Sequence, residues 1–270
     1  MRTNLSGVVS AGVFIALSLS ELFRPLRRSV ESKLVRAVRN FSVAAVGGPV
    51  VAFIETPVAL GLSRIVHEHQ WGLLNVLKLP LWLRIVLSVL LLDYTLYVWH
   101  VLTHKVPFLW RFHLVHHADL DLDASTALRF HFGELALSVP WRAAQVLAIG
   151  VSPGPFAAWQ AMLVVSVLFH HSNVNLPVRF ERLLNWIFVT PRMHGIHHSM
   201  IQKETNSNWS SGLSVWDRLH GTLRLNASPK TITIGVPAYQ EPADVTLANL
   251  VVMPFRKQRS DWEIMGGPIR

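Results

Sequence analysis

Two stretches of this 270-residue chain share one pattern built from one side chain: His113-Leu-Val-His116-His117 and His194-Gly-Ile-His197-His198 both read His-x-x-His-His. Residues three and four apart share a helix face, so the imidazoles of each stretch can converge. His100 and His104, four apart, add two nitrogens from another face. Of 14 histidines, eleven lie between His100 and His198, including His131, His170 and His171; His67, His69 and His220 fall outside. So many imidazoles would repel one another if protonated and would be costly if neutral and unpaired, and metal coordination removes both costs. The chain has no cysteine, so its ligands must be nitrogen and oxygen. Eight to ten histidines exceed what one tetrahedral or octahedral ion accepts, which points to a dinuclear site. Iron, zinc, copper and nickel all suit imidazole.

The elements that must position these side chains belong to a membrane protein. The chain is 51% hydrophobic, only 15% charged, and has a mean hydropathy of +0.35. Its net charge of +9 forms no interleaved basic-aromatic patch, so nucleic-acid binding is not expected; the basic residues flank apolar segments as topology signals. Residues 6–22 are apolar and are followed by Arg24, Arg27, Arg28, Lys33, Arg36 and Arg39, a cluster expected to stay cytoplasmic after an anchor rather than after a cleaved signal. Residues 41–63 form a second apolar segment, expected to be kinked or broken at Gly47-Gly48-Pro49 and Glu55-Thr56-Pro57. Glu55 either pairs with a basic residue or lines that break. A third segment runs from about Leu79 to Trp99, and residues 135–150 and 156–171 read as a short helical hairpin turning at Val-Ser-Pro-Gly-Pro.

The expected fold is therefore an all-α integral membrane protein with about four to five membrane helices, including the short hairpin, and a cytoplasmic histidine-rich metal-binding cap. The domain reading is 1–78 for the anchor helices, 79–225 for the catalytic part and 226–270 for a surface-packed or loosely ordered cytoplasmic tail. Charge-derived topology puts every central histidine on one membrane side. Tryptophans near segment ends, such as Trp71, Trp99 and Trp141, read as interfacial anchors.

His100-Val-Leu-Thr-His104, His113-Leu-Val-His116-His117 and His194-Gly-Ile-His197-His198, in that order, resemble the three histidine boxes of the fatty acid hydroxylase/sterol desaturase superfamily. "TALRFHFGE", "FHHSNVNLP" and "NWSSGLSVWDRLHGT" are similar to its other elements, across roughly residues 85–225. Phe132 and His220 depart from the common pattern, where proline and phenylalanine are usual. The resemblance implies an integral-membrane, non-haem di-iron enzyme using O2 as co-substrate. It implies His100, His104, His113, His116, His117, His194, His197 and His198 as core ligands, with His131 and His171 as additions, and it matches Asn208, Trp216 and Asp217 to the closing motif.

Asp93, inside an apolar segment and in helical register with His100 and His104, is a candidate to orient a ligand imidazole through its second nitrogen. Glu134 and Asn173 could act similarly, or could simply cap helices.

Hydroxylation and desaturation of a lipid C–H bond both fit this reading, with sterols, acyl chains, sphingoid bases, ether lipids and carotenoids all open as substrates. Electrons must come from outside, from a cytochrome b5, a ferredoxin or another reductase, because no haem, flavin or iron–sulfur motif is present. The competing class is a membrane metal transporter or sensor holding zinc, though transport sites usually lie at the membrane midplane. A bis-histidine haem protein leaves most histidines unused, and a zinc hydrolase lacks His-Glu-x-x-His. Nineteen arginines against six lysines favour a bacterial inner membrane over the endoplasmic reticulum.

Overall fold

A computed structural model describes residues 2–229, 231–260 and 262, and no strand occurs among them. Helix α1 spans Arg2–Phe23, α2 Lys33–Val50, α3 Thr56–His69, α4 Leu73–Val76 and α5 Leu81–Lys105. Then follow α6 Pro107–His117, α7 Phe132–Ile149, α8 Pro153–His171, α9 Val178–Leu184, α10 Pro191–His197, α11 Gln202–Thr205, α12 Val215–Leu219 and α13 Leu247–Val252. Two stretches, Lys33–Val76 and Leu81–Lys105, are long and apolar enough to cross a membrane, with a shorter apolar helix at Gly7–Phe23. Only 17% and 28% of their apolar windows are buried, so these helices turn greasy surface outward, unlike the core helices of a soluble protein.

The second segment does not break where its prolines predicted. Pro49 lies inside α2, Val51–Glu55 form a π-helical turn, and Pro57 falls in the first turn of α3. Pro57 removes one donor from this continuous helix, and the wide turn between the two prolines absorbs the mismatch they create, so the chain passes both without a gap. Helices α7 and α8 form where the hairpin was expected, joined by a short turn, but α7 packs chiefly on α3 and α8 chiefly on α5 rather than on each other. Gly150 ends α7 with φ +85°, and a β-carbon there would lie 2.7 Å from the Trp71 carbonyl, so only glycine lets α7 close onto the residue 71–72 turn.

Two apolar cores flank the histidines. One, with Ala59, Leu92, Val146, Phe156 and Trp159, joins α3, α5, α7 and α8. The other packs Leu114, Val115 and Ala118 of the α6 region against Val236, Tyr239, Val245, Leu250 and Met253. Residues 236–253 of the expected tail are thus built into the fold over α6; residues 263–270 lie outside the described residues.

The basic run after α1 also does more than mark topology. Arg36 is 1% exposed and forks onto Asp119, with Nη2 to Oδ2 at 2.9 Å and Nε to Oδ1 at 3.2 Å, while its Nη1 donates to Asp123 at 2.7 Å. Asn40 and Thr126 also donate to Asp119, and Arg129 reaches Asn40 Oδ1 at 3.0 Å. This buried network ties α2 to the loop between α6 and α7.

Candidate metal centre

The fold gathers nine of the central histidines into two groups. His100 and His104 from α5, His113 and His117 from α6 and His197 from α10 form the first; within each group the ligand atoms all lie within 4.8 Å of one another. His116 from α6, His171 ending α8, His194 from α10 and His198 just after it form the second. The repeated stretches therefore cross over. In each, the first and last histidines, four apart, go to one group and the middle one goes to the other. His117 and His198 stack across the boundary with ring centroids 4.3 Å apart.

Hydrogen bonds fix which nitrogen five of the nine rings present, while Nδ1 of His194 and His198 is buried without a partner among the described residues. His100 Nδ1 donates to the Trp209 carbonyl at 2.7 Å, His197 Nδ1 to the Ser207 carbonyl at 2.8 Å and His113 Nδ1 to Glu134 at 2.8 Å. In the second group, His116 Nδ1 faces the Arg129 carbonyl at 3.3 Å and His171 Nδ1 the Val167 carbonyl at 2.8 Å. With its proton on Nδ1, each neutral ring carries a bare lone pair on Nε2. Those lone pairs face one another: His100 and His113 Nε2 are 3.2 Å apart, His116 and His171 3.0 Å, and His194 stands 3.0 Å from His171 and 3.1 Å from His198. His104, His117 and His197 Nε2 are buried with no partner at all.

Protonation does not relieve this. Burial first, then the neighbouring imidazoles, hold His117, His194 and His198 well below the ordinary histidine value, and burial lowers His197 to about 3. A cation at each group resolves the contacts, since nitrogens about 2.1 Å from one ion and at right angles to each other sit about 3 Å apart. The donor set fits metal ions well.

The remaining candidates fall in different places. Glu134 orients His113, as a ligand-supporting carboxylate should. His131 joins neither group: its Nδ1 accepts from the Gly133 amide at 2.9 Å, capping α7, and its Nε2 donates to the Val251 carbonyl at 3.0 Å, so both nitrogens are engaged elsewhere. Asn173 does not reach an imidazole either. It exchanges hydrogen bonds with the Arg27 backbone at 2.9 Å each way, tying the segment after α1 to the end of α8.

Asp93 also touches no histidine. It accepts from Trp216 Nε1 at 2.7 Å and the Leu213 amide at 3.0 Å, and a β-carbon on Gly212 would meet its Oδ1 at 2.2 Å. Asp93 thus anchors the 209–217 loop, whose Trp209 carbonyl orients His100, and so acts one step further out than its register with His100 implied. Asp217, buried rather than at the surface, closes the same loop by accepting from the Trp209 and Ser210 amides at 3.0 and 2.9 Å. His170 packs 4.0 Å from His194 between ring centroids yet belongs to neither group. Carbonyl acceptors such as Trp209 and Ser207 left no trace in side-chain spacing.

A cavity of about 190 Å³ opens beside both groups, lined by His100, His113, His116 and His194 at one end and walled by Leu96, Trp99, Leu135 and Leu163.

Outward-facing apolar helices that converge on two clusters of buried imidazoles define a membrane protein of the histidine-box type. The chain matches the fatty acid hydroxylase family over residues 85–222, just over half its length, and belongs to that family. It is 31% identical to an ornithine lipid hydroxylase of Rhizobium tropici over 83% of this chain and 63% of that protein. It is 30% identical to human alkylglycerol monooxygenase over 48% of this chain and 28% of the relative, and 29% identical to human cholesterol 25-hydroxylase over 54% and 53%. The chain thus spans less than two thirds of the length of these relatives. No solved structure matches it.

Proposed function

We propose that the chain is a multi-pass membrane oxygenase that hydroxylates an unactivated C–H bond of a lipid. The observation that carries this reading is the pair of imidazole groups opening onto one apolar-walled cavity. Each turnover consumes O2, two electrons and two protons and yields the alcohol and water. Two iron ions, one held by each group, supply the capacity to reduce O2 and oxidise the C–H bond.

The chain's own residues do the rest. Carbonyls of Trp209, Ser207 and Arg129 and the Glu134 carboxylate hold protons on Nδ1 of His100, His197, His116 and His113, so that Nε2 of each is ready as a ligand before metal arrives. Leu96, Trp99 and Leu163 keep water from the reacting carbon and give an alkyl chain a dry wall to lie against. The catalytic part corresponds to residues 79–225, with residues 1–78 as anchor helices and four to five membrane segments in all. The basic residues after α1 support a cytoplasmic metal centre, and the arginine excess with the Rhizobium relative supports a bacterial inner membrane. Electrons come from a cytochrome b5, ferredoxin or reductase partner, and the lipids named for the relatives support a lipid as the co-substrate of O2.

Metal content and Mössbauer spectra of protein grown with iron-57 and purified anaerobically in mild detergent test this. About two irons per chain with a coupled signal is the expected result. Zinc bound weakly and exchangeably in place of iron would overturn the reading in favour of transport or sensing.

A further inference from the structure

Two charged residues that hold no histidine line the same cavity from deeper within the helices. Arg142 of α7 and Glu55 of the π-helical turn have side chains 9% and 13% exposed. Charges placed inside apolar helices are costly and are kept where they pair fully or bind something. Here the pairing is incomplete. Arg142 Nε meets Glu55 Oε1 at 3.4 Å, a long contact, while Nη1 donates to Gln145 at 2.6 Å and the guanidinium face lies 4.4 Å from the Trp159 ring centroid. Among the described residues, Arg142 Nη2 and Glu55 Oε2 find no hydrogen-bond partner. Neighbouring polar groups do not compete for them: Gln145 donates to Thr95, Ser138 to the Leu135 carbonyl at 2.7 Å and Trp141 to the Thr95 carbonyl at 3.2 Å. The cavity thus ends in one free donor beside one free acceptor, and the acceptor sits on a π turn, a distortion often found at functional sites.

Resting on the lipid-hydroxylase reading above, we propose that Arg142 and Glu55 select the substrate by its polar group, and that this group both donates and accepts hydrogen bonds: a hydroxyl or an amide. An ester or ether oxygen satisfies Arg142 alone and leaves the Glu55 oxygen bare, and a plain alkyl chain leaves both unpaired.

Terminally brominated dodecanol, N-methyl dodecanamide, methyl dodecanoate and dodecane, added to the full chain in nanodiscs, test this through quenching of Trp99 and Trp141, which line the cavity. The alcohol and the amide are expected to bind about tenfold more tightly than the ester and the hydrocarbon. Dodecanol binding ahead of the amide, or the reverse, identifies which of the two groups the pair prefers and supports the proposal either way. Arg142→Lys, which keeps the charge, and the doubly neutral Glu55→Gln/Arg142→Met, which leaves no lone buried charge, should both still bind dodecane but lose the preference. Equal affinity for all four probes in the native chain, or a preference that survives in both variants, would overturn the proposal. Because binding is read without turnover, a chain that shows the preference but holds no iron would refute the hydroxylase reading and not this one.

Discussion

At the scale of single residues, the site depends on acceptors that hold imidazole protons away from the metal side. Glu134 is the one charged member of that set, and replacing it with glutamine should lower metal affinity by roughly 10- to 100-fold, read by titration of the metal-free protein. Asp93→Asn provides the contrast. Because Asp93 bonds Trp216 and Leu213 and no imidazole, this variant should keep its full metal complement and lose about 1–3 kcal/mol of stability in denaturant melts. Reduced metal content in Asp93→Asn would return it to a direct role at the ligands. The histidine pattern was plain in the sequence because side-chain spacing on a helix dictates which rings converge. His131 misled for the same reason: its proximity along the chain says nothing of the Gly133 amide and Val251 carbonyl that claim its two nitrogens.

At the scale of elements, the loop between α6 and α7 is held by buried charge as well as by the apolar packing of Leu120, Leu122 and Ala124. Asp119 is fully buried; burial alone would raise its pKa, but Arg36 and Arg129 outweigh that and hold it well below the usual carboxylate range. Asp119→Asn leaves Arg36 facing only Asp123 and is expected to cost about 3–5 kcal/mol, measured as a drop in thermal midpoint. Replacing both partners, as in Arg36→Met/Asp119→Leu, should recover little of that loss, because it strands the buried Asp123 and Arg129. A melt of the double variant restored to the native midpoint would show that the Arg36–Asp119 pair stands apart from the rest of the network. The long helices, α7 and α8 among them, were legible from hydropathy, whereas the short helices from α9 onward carried no apolar stretch to mark them. The π turn was not, because a proline signals strain without showing whether the chain breaks or rewinds. Nor could Arg36 be distinguished from its basic neighbours, since positive charges before a membrane helix read alike until their partners are seen.

At the scale of the whole molecule, the histidines couple folding to pH and to metal. His116, His117, His194, His197 and His198 are all lowered in the fold, by burial first, so between their folded values and about 6.5 the unfolded chain binds protons that the folded chain does not. Stability of the metal-free protein must therefore fall as pH drops through 6.5, by up to about 1.4 kcal/mol per pH unit for each such histidine. Thermal melts of the metal-free protein between pH 8 and pH 5 should show this decline, and a flat profile would contradict the burial of these rings.

The crossing of the two His-x-x-His-His stretches has a consequence for how such a chain can change over generations. Since each of these two stretches feeds both groups, neither can decay while leaving either group of imidazoles whole, whereas His100 and His104 serve the first group alone. A lineage that relaxes either stretch would lose donors from both groups together.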